Sequence, residues 1–337
     1  MRGLLAERAE LLVWLALPRR TVMRQVVRRT LLRLHPRVLR DVTSVRTATT
    51  VLGTPVDTPV LVAPTAAQHV VAPGGAVATA FGAAKAGSLV CVSCLTNQPY
   101  TEIRDTGAPW WAQVYVLRDR GLTRDLVARA EAAGAAALVL TVDTPVVGDR
   151  PHPGPASDAP WYGGHLLPTA VPGDVAIATD LTFDDITWLR EISRLPVVVK
   201  GVLRADDALS AVRAGARAVV VSNHGGRQLD VAVPTATALP GIARALTGTG
   251  AETYVDGGLR SGVHVLAALA LGARAVLLGR PVLWALATGG ADNVQRLLST
   301  VTAELRHAMT LVGARSPDEI TPDLAGPVDT AGAQPPG

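Results

Sequence analysis

The stretch Arg217-Ala218-Val219-Val220-Val221-Ser222-Asn223-His224-Gly225-Gly226-Arg227-Gln228-Leu229-Asp230 changes character after its fifth residue. Up to Val221 it reads as a buried strand, an apolar, β-branched run with no charge inside it. Beyond Val221 come a hydroxyl, an imidazole, two glycines and a guanidinium. The glycines allow backbone and ligand to approach closely, with no Cβ in the way. An imidazole takes up a proton near neutral pH, and a guanidinium three residues on grips a carboxylate bidentately. A lone loop histidine is more often structural; it is the neighbours of His224 that favour chemistry.

Working outward, other apolar runs end near Ala63, Ser93, Val116, Val142, Lys200, Asp256 and Gly279. With the run ending at Ser222 they make eight, and most are followed by helical patterning. Helices are expected over 75–86, 122–133, 183–193, 205–214 and 262–271. Eight strands alternating with helices predict an α/β fold, a (β/α)8 TIM barrel. In such a barrel the carboxyl ends of the strands share one mouth, so residues distant in sequence can form one site.

A chain of 337 residues with 48% hydrophobic content can bury one large core. The expected organisation is a basic N-terminal helical segment over 1–45, a barrel over 46–316 and a flexible tail over 317–337. The first 46 residues hold eleven arginines, interleaved with Leu4, Leu5, Leu11, Leu12, Val13, Trp14 and Leu15. Pro18-Arg19-Arg20 ends that apolar stretch far short of a membrane span, so membrane association is not expected and a cytoplasmic location is. A net charge of only +4 gives no reason to expect a nucleic-acid partner. Cys91 and Cys94, the only cysteines, read as buried thiols in a reducing compartment. The Pro-, Gly- and Asp-rich stretch from Val146 to Asp180 is too long for an ordinary βα loop and reads as a lid inserted after the fourth strand. Of 32 basic residues only Lys85 and Lys200 are lysines, and Lys200 ends a strand-like run, where a compact ammonium differs from a planar fork.

Together these residues resemble the signature of the FMN-dependent 2-hydroxy acid oxidoreductases, which include glycolate oxidase, lactate oxidase, mandelate dehydrogenase and hydroxymandelate oxidase. The resemblance covers roughly Leu34 to Arg315 and implies oxidation of a 2-hydroxy acid to the 2-oxo acid. It implies that Ala63, Pro64, Thr65 and Ala66 meet the flavin ring, with Ser93, Gln113, Thr141 and Ser222 around it. Lys200 would lie by flavin N1 and C2=O. Asp256 would bind the ribityl chain, and Gly257, Gly258, Arg260, Gly279 and Arg280 would hold the phosphate. His224 would be the base, supported by Asp143; Arg227 and Arg150 would hold the substrate carboxylate, and Tyr115 would bond near the reacting oxygen. No metal is implied. Oxygen or another acceptor would reoxidise the flavin, and the family resemblance implies a homo-oligomer, a tetramer.

The resemblance weakens in three places. The family's N-terminal tyrosine is missing, since the first tyrosine here is Tyr100. A His-Pro-Glu-Gly-Glu-like run is replaced by Ala72-Pro73-Gly74-Gly75-Ala76, and the stretch after Gly148-Asp149-Arg150 is short. These departures point to an aryl or otherwise bulky substrate. Two alternatives stand beside this reading: a tailoring oxidoreductase acting on a larger or carrier-bound biosynthetic intermediate, and a non-catalytic flavin-binding scaffold.

Overall fold

Eight parallel strands close into a barrel in chain order: β1 (Val60–Val62), β2 (Val90–Ser93), β3 (Trp110–Val114), β4 (Leu138–Thr141), β5 (Val197–Val202), β6 (Ala218–Val221), β7 (Glu252–Asp256) and β8 (Ala275–Leu278). β8 pairs back onto β1, so the sheet has no edge. Between and after them lie α1 (Gly75–Lys85), α2 (Tyr100–Asp105), α3 (Arg120–Ala132), α4 (Asp184–Ile192), α5 (Ala205–Arg213), α6 (Thr235–Leu246), α7 (Gly262–Ala270) and α8 (Arg280–Leu311). This is the (β/α)8 barrel that the alternation predicts. The computed structural model describes residues 32–146, 148 and 176–327. Arg150, the remainder of the expected lid up to residue 175, the first 31 residues and the end of the expected tail lie outside them.

The strands are apolar over most of their length because both of their faces are covered. Side chains alternate sides along a strand. Val60 and Val62 turn outward to the helix layer, while Leu61 turns into the barrel. Val90 and Val92 pack outward, and Cys91 inward. The interior is filled by Leu61, Cys91, Trp111, Val139, Val198, Val220, Tyr254 and Leu277, with the Trp111 and Tyr254 rings 5.3 Å apart. A hairpin of Thr49–Val51 and Thr54–Val56 adds Val51 and Val56 to this inner cluster.

β5 departs from regularity at one point. Its register against β6 slips between Lys200 and Val202, and Gly201 between them has a φ of 113°. Gly201 is a bulge, and a bulge re-aims the residues beside it.

Two expectations about the ends need correction. Residues 32–45 carry no helix; Leu32–Leu34 is a strand paired antiparallel with Ala325–Pro327. Residues 317–327, expected to begin a flexible tail, are packed, with Ile320 and Leu324 buried. Arg37 draws the two ends together, donating to the Glu319 carbonyl at 3.0 Å and pairing with Asp323 at 3.0 Å. The strand partner lies at the other end of the chain, so local composition could not reveal it. Among the described residues no helix is long and apolar enough to cross a membrane.

Candidate active site

The rule that fills the barrel also builds its mouth. Two residues beyond each interior apolar residue, on the same face of its strand, stand Ala63, Ser93, Gln113, Thr141, Lys200, Ser222, Asp256 and Gly279. Six of these eight are polar, so the apolar interior is capped by a largely polar layer. Lys200, Ser222 and Asp256 are only 3%, 0% and 7% exposed, so their polar atoms must find partners inside the protein or in a ligand.

Part of that demand is met internally. Lys200 Nζ donates to Ser222 Oγ at 3.1 Å and lies 3.6 Å from Asp256 Oδ2. Ser93 donates to Gln113 Oε1 at 3.1 Å, and the Cys94 backbone N–H donates to the same oxygen at 3.2 Å. Thr235, which sequence reading did not single out, donates to the Asp256 carbonyl at 2.7 Å. The rest is unmet. Thr65 Oγ1, Gln113 Nε2 and Asp256 Oδ1 are buried with no hydrogen-bond partner. They come from β1, β3 and β7 strand ends and offer donors and acceptors to a polar ligand seated across the mouth.

His224 sits above this layer with left-handed backbone, φ 55°. Its N–H donates to Ser222 Oγ at 3.1 Å, tying the loop to the hydroxyl that Lys200 also binds. Its Nδ1 is 3.0 Å from Asp143 Oδ1, with Thr144 Oγ1 at 3.5 Å. Burial works to raise the Asp143 carboxyl, but the His224 hydrogen bond and the positive charge of Lys200 outweigh it, leaving it below its ordinary value. Asp143 is therefore ionised at neutral pH, Nδ1 carries the proton, and Nε2 is the basic nitrogen. Gly201 makes room for this carboxylate, since a Cβ there would lie 2.6 Å from Asp143 Cβ.

A second cluster lies at the ends of β7 and β8. Gly257 and Gly258 follow β7 with φ of 88° and 79°, and Gly279 precedes the long helix α8. Arg280 Nη2 donates to the Gly225 carbonyl at 3.1 Å, and Arg260 lies over the Trp284 ring at 5.3 Å. Burial and then the like charge of Arg280 push Arg260 down to about 10. Burial also lowers Arg280, against the pull of Asp256. Arg280 at the start of α8, whose first turn holds no acid, and Arg260 against Trp284 of that helix are two half-buried guanidiniums whose site an anion would relieve. His264, whose Nδ1 accepts the Arg260 backbone N–H at 3.2 Å, is held toward its neutral form by burial and by Arg260.

The flavin phosphate and a polar ring fit this pair of sites. Chain similarity decides the matter: a family model described as FMN-dependent dehydrogenase matches residues 20–158 and 164–326. The chain belongs to that family. It is 44% identical to an L-lactate oxidase from Nostoc sp. over 86% of this chain and 85% of that one. It is also 44% identical to a 4-hydroxymandelate oxidase from Amycolatopsis orientalis over 83% of each. A mandelate oxidase structure with (S)-4-hydroxymandelic acid matches at a TM-score of 0.79 and 40% identity, covering 88% of each chain. The protein is thus an FMN-dependent oxidoreductase acting on a CH–OH group.

Of the residues expected at the site, Tyr115 follows β3 and is half-buried, and Arg227 is half-buried in the loop after β6. Pro64 and Thr65 are half-buried and Ala66 is exposed. Thr141 is buried at the end of β4. Arg150 lies outside the described residues. Thr144, Gly201, Gln228, Thr235 and Trp284 were missed. Only Gly201 left a sequence signal, a glycine inside a strand-like run, which marks a bulge or a close approach.

Proposed function

We propose that this enzyme oxidises an aryl or bulky 2-hydroxy acid to its 2-oxo acid, passing the electrons on to oxygen. The observation that carries the reading is the imidazole–carboxylate pair of His224 and Asp143 above the buried ammonium of Lys200. FMN held in the mouth supplies the two-electron acceptor. Thr65, Gln113 and Asp256 hold its polar edges and ribityl chain, and Arg260 and Arg280 its phosphate. Arg227 grips the substrate carboxylate, and Tyr115 hydrogen-bonds at the reacting oxygen. His224 Nε2 receives a substrate proton, and Asp143 holds the resulting imidazolium in place. Lys200 keeps a fixed positive charge at the floor of the mouth, preorganised for negative charge that develops there.

Relatives named as oxidases, of lactate and of 4-hydroxymandelate alike, support oxygen as acceptor. The loss of the family's N-terminal tyrosine supports a bulky side group. A carrier-bound substrate and a non-catalytic scaffold find no support in these relatives. We place the enzyme in a reducing compartment, the cytoplasm, because Cys91 and Cys94 are buried free thiols. A homotetramer remains part of this reading.

Comparing kcat/KM for glycolate, L-lactate and (S)-mandelate under air tests the preference. One missing hydrogen bond to a charged carboxylate weakens a small acid by about 1.5–3 kcal/mol. A buried aryl group restores a similar amount, so mandelate is expected to exceed glycolate by roughly tenfold or more. A preference for glycolate would overturn the aryl reading and leave the reaction class standing.

A further inference from the structure

Gln228 lies beside Arg227, four residues past the base, and an amide has no acid–base chemistry to offer there. Its side-chain hydrogen bonds to described residues nevertheless all cross to the loop after β4. Gln228 Oε1 accepts the Gly148 N–H at 3.0 Å, and Nε2 donates to the Asp143 carbonyl at 3.3 Å and the Val146 carbonyl at 3.2 Å. One planar amide thus serves three backbone groups of a segment about eighty positions away in sequence. The two loops are in backbone contact as well, because a Cβ on Gly148 would lie 2.7 Å from the Arg227 carbonyl oxygen and from Gln228 Cα.

Asp143 is held from two sides. Gly201 lies against its Cβ from below, and Gln228 binds its carbonyl. Asp143 Oδ1 lies within hydrogen-bond reach of both His224 Nδ1, at 3.0 Å, and Thr144 Oγ1, at 3.4 Å. A shift of the loop after β4 therefore moves the carboxylate away from the imidazole.

We infer that Gln228 is a positioning residue for the reaction, setting the Asp143 carboxylate and through it the orientation of His224. It touches neither substrate nor flavin in this role; it acts through the backbone of the 143–148 loop. The inference rests on the reading of His224 and Asp143 as the catalytic pair. Because two loops are zipped by one side chain, its loss leaves Asp143 O, Val146 O and Gly148 N without their partner, and the loop relaxes. A misplacement on the order of 1 Å at a catalytic group can cost about 10²-fold in rate.

The test is a double-mutant cycle on holoenzyme, with anaerobic stopped-flow reduction of the bound flavin by (S)-mandelate. Gln228→Met keeps the side-chain length and removes the hydrogen bonds. It is expected to retain FMN and lower the limiting reduction rate by about ten- to hundredfold, with KM changed less than about threefold. In an Asp143→Asn background the same change should cost less than about threefold more, because interacting residues are non-additive. Gln228→Glu, which keeps the acceptor for Gly148 N–H but loses both donors, is expected to fall in the same direction and serves if the Met variant fails to fold. Full additivity with Asp143→Asn, or an unchanged rate in both Gln228 variants, would overturn the inference. If Asp143→Asn alone leaves reduction unchanged, the catalytic pair itself is misread, a result distinct from failure of the Gln228 role.

Discussion

His224→Ala is expected to bind FMN as the parent does and to be reduced by substrate more slowly by on the order of 10²–10⁴-fold. The separation of effects follows from position. The buried unpaired polar atoms that our reading assigns to the flavin belong to Thr65, Gln113 and Asp256, whereas the side chain of His224 contacts Asp143 and Thr144 on the neighbouring loop. Removing the imidazole takes from Asp143 a hydrogen bond that helps keep it ionised, but leaves the contacts among Lys200, Ser222 and Asp256 in place. What disappears is the only basic nitrogen in the pair. Single-turnover reduction without oxygen, followed as loss of flavin absorbance, separates this step from reoxidation. Reduction at the parent rate would remove His224 from the reaction.

Arg280→Ala is expected to release much of the flavin, weakening FMN by roughly ten- to hundredfold, the equivalent of about 1.5–3 kcal/mol for one charge-assisted hydrogen bond. The effect on riboflavin, which lacks the phosphate, should be small. Comparing the two ligands isolates the anion contribution from any damage to the fold. The depressed Arg260 gives a second check. Its proton is held less tightly in the free site, near 10, than beside a bound dianion, so FMN affinity should fall as pH rises through about 10. Equal losses of FMN and riboflavin in Arg280→Ala would place the phosphate elsewhere.

The barrel and its polar layer were legible because they follow from a period of two. The strands are mostly apolar, and the polar residues at their carboxyl ends fall on the interior face by counting alone. Lys200 stood out as one of two lysines. Less regular features stayed hidden for identifiable reasons. α6 contains Pro240, and α8 is broken by Gly289 and Gly290, whose backbone is not helical, so both lack clean helical signatures. The strand Ala325–Pro327 looks like tail by composition but pairs with Leu32–Leu34, and Ala325 packs against the core. Gln228 reads as an ordinary turn residue until the loop after β4 is placed against it. Periodicity reports which face a residue occupies, not which distant loop it meets.

The left-handed backbone at His224 has a consequence for how this protein can change. For a residue with a Cβ that conformation costs on the order of 1–2 kcal/mol, and glycine adopts it freely. The position where our reading puts the base is therefore one where glycine would relieve backbone strain, at the cost of the Asp143 hydrogen bond. On the proposed role of His224, selection for relief of backbone strain alone would favour glycine at 224 and cost the enzyme its base. Only selection that scores turnover holds the histidine in place.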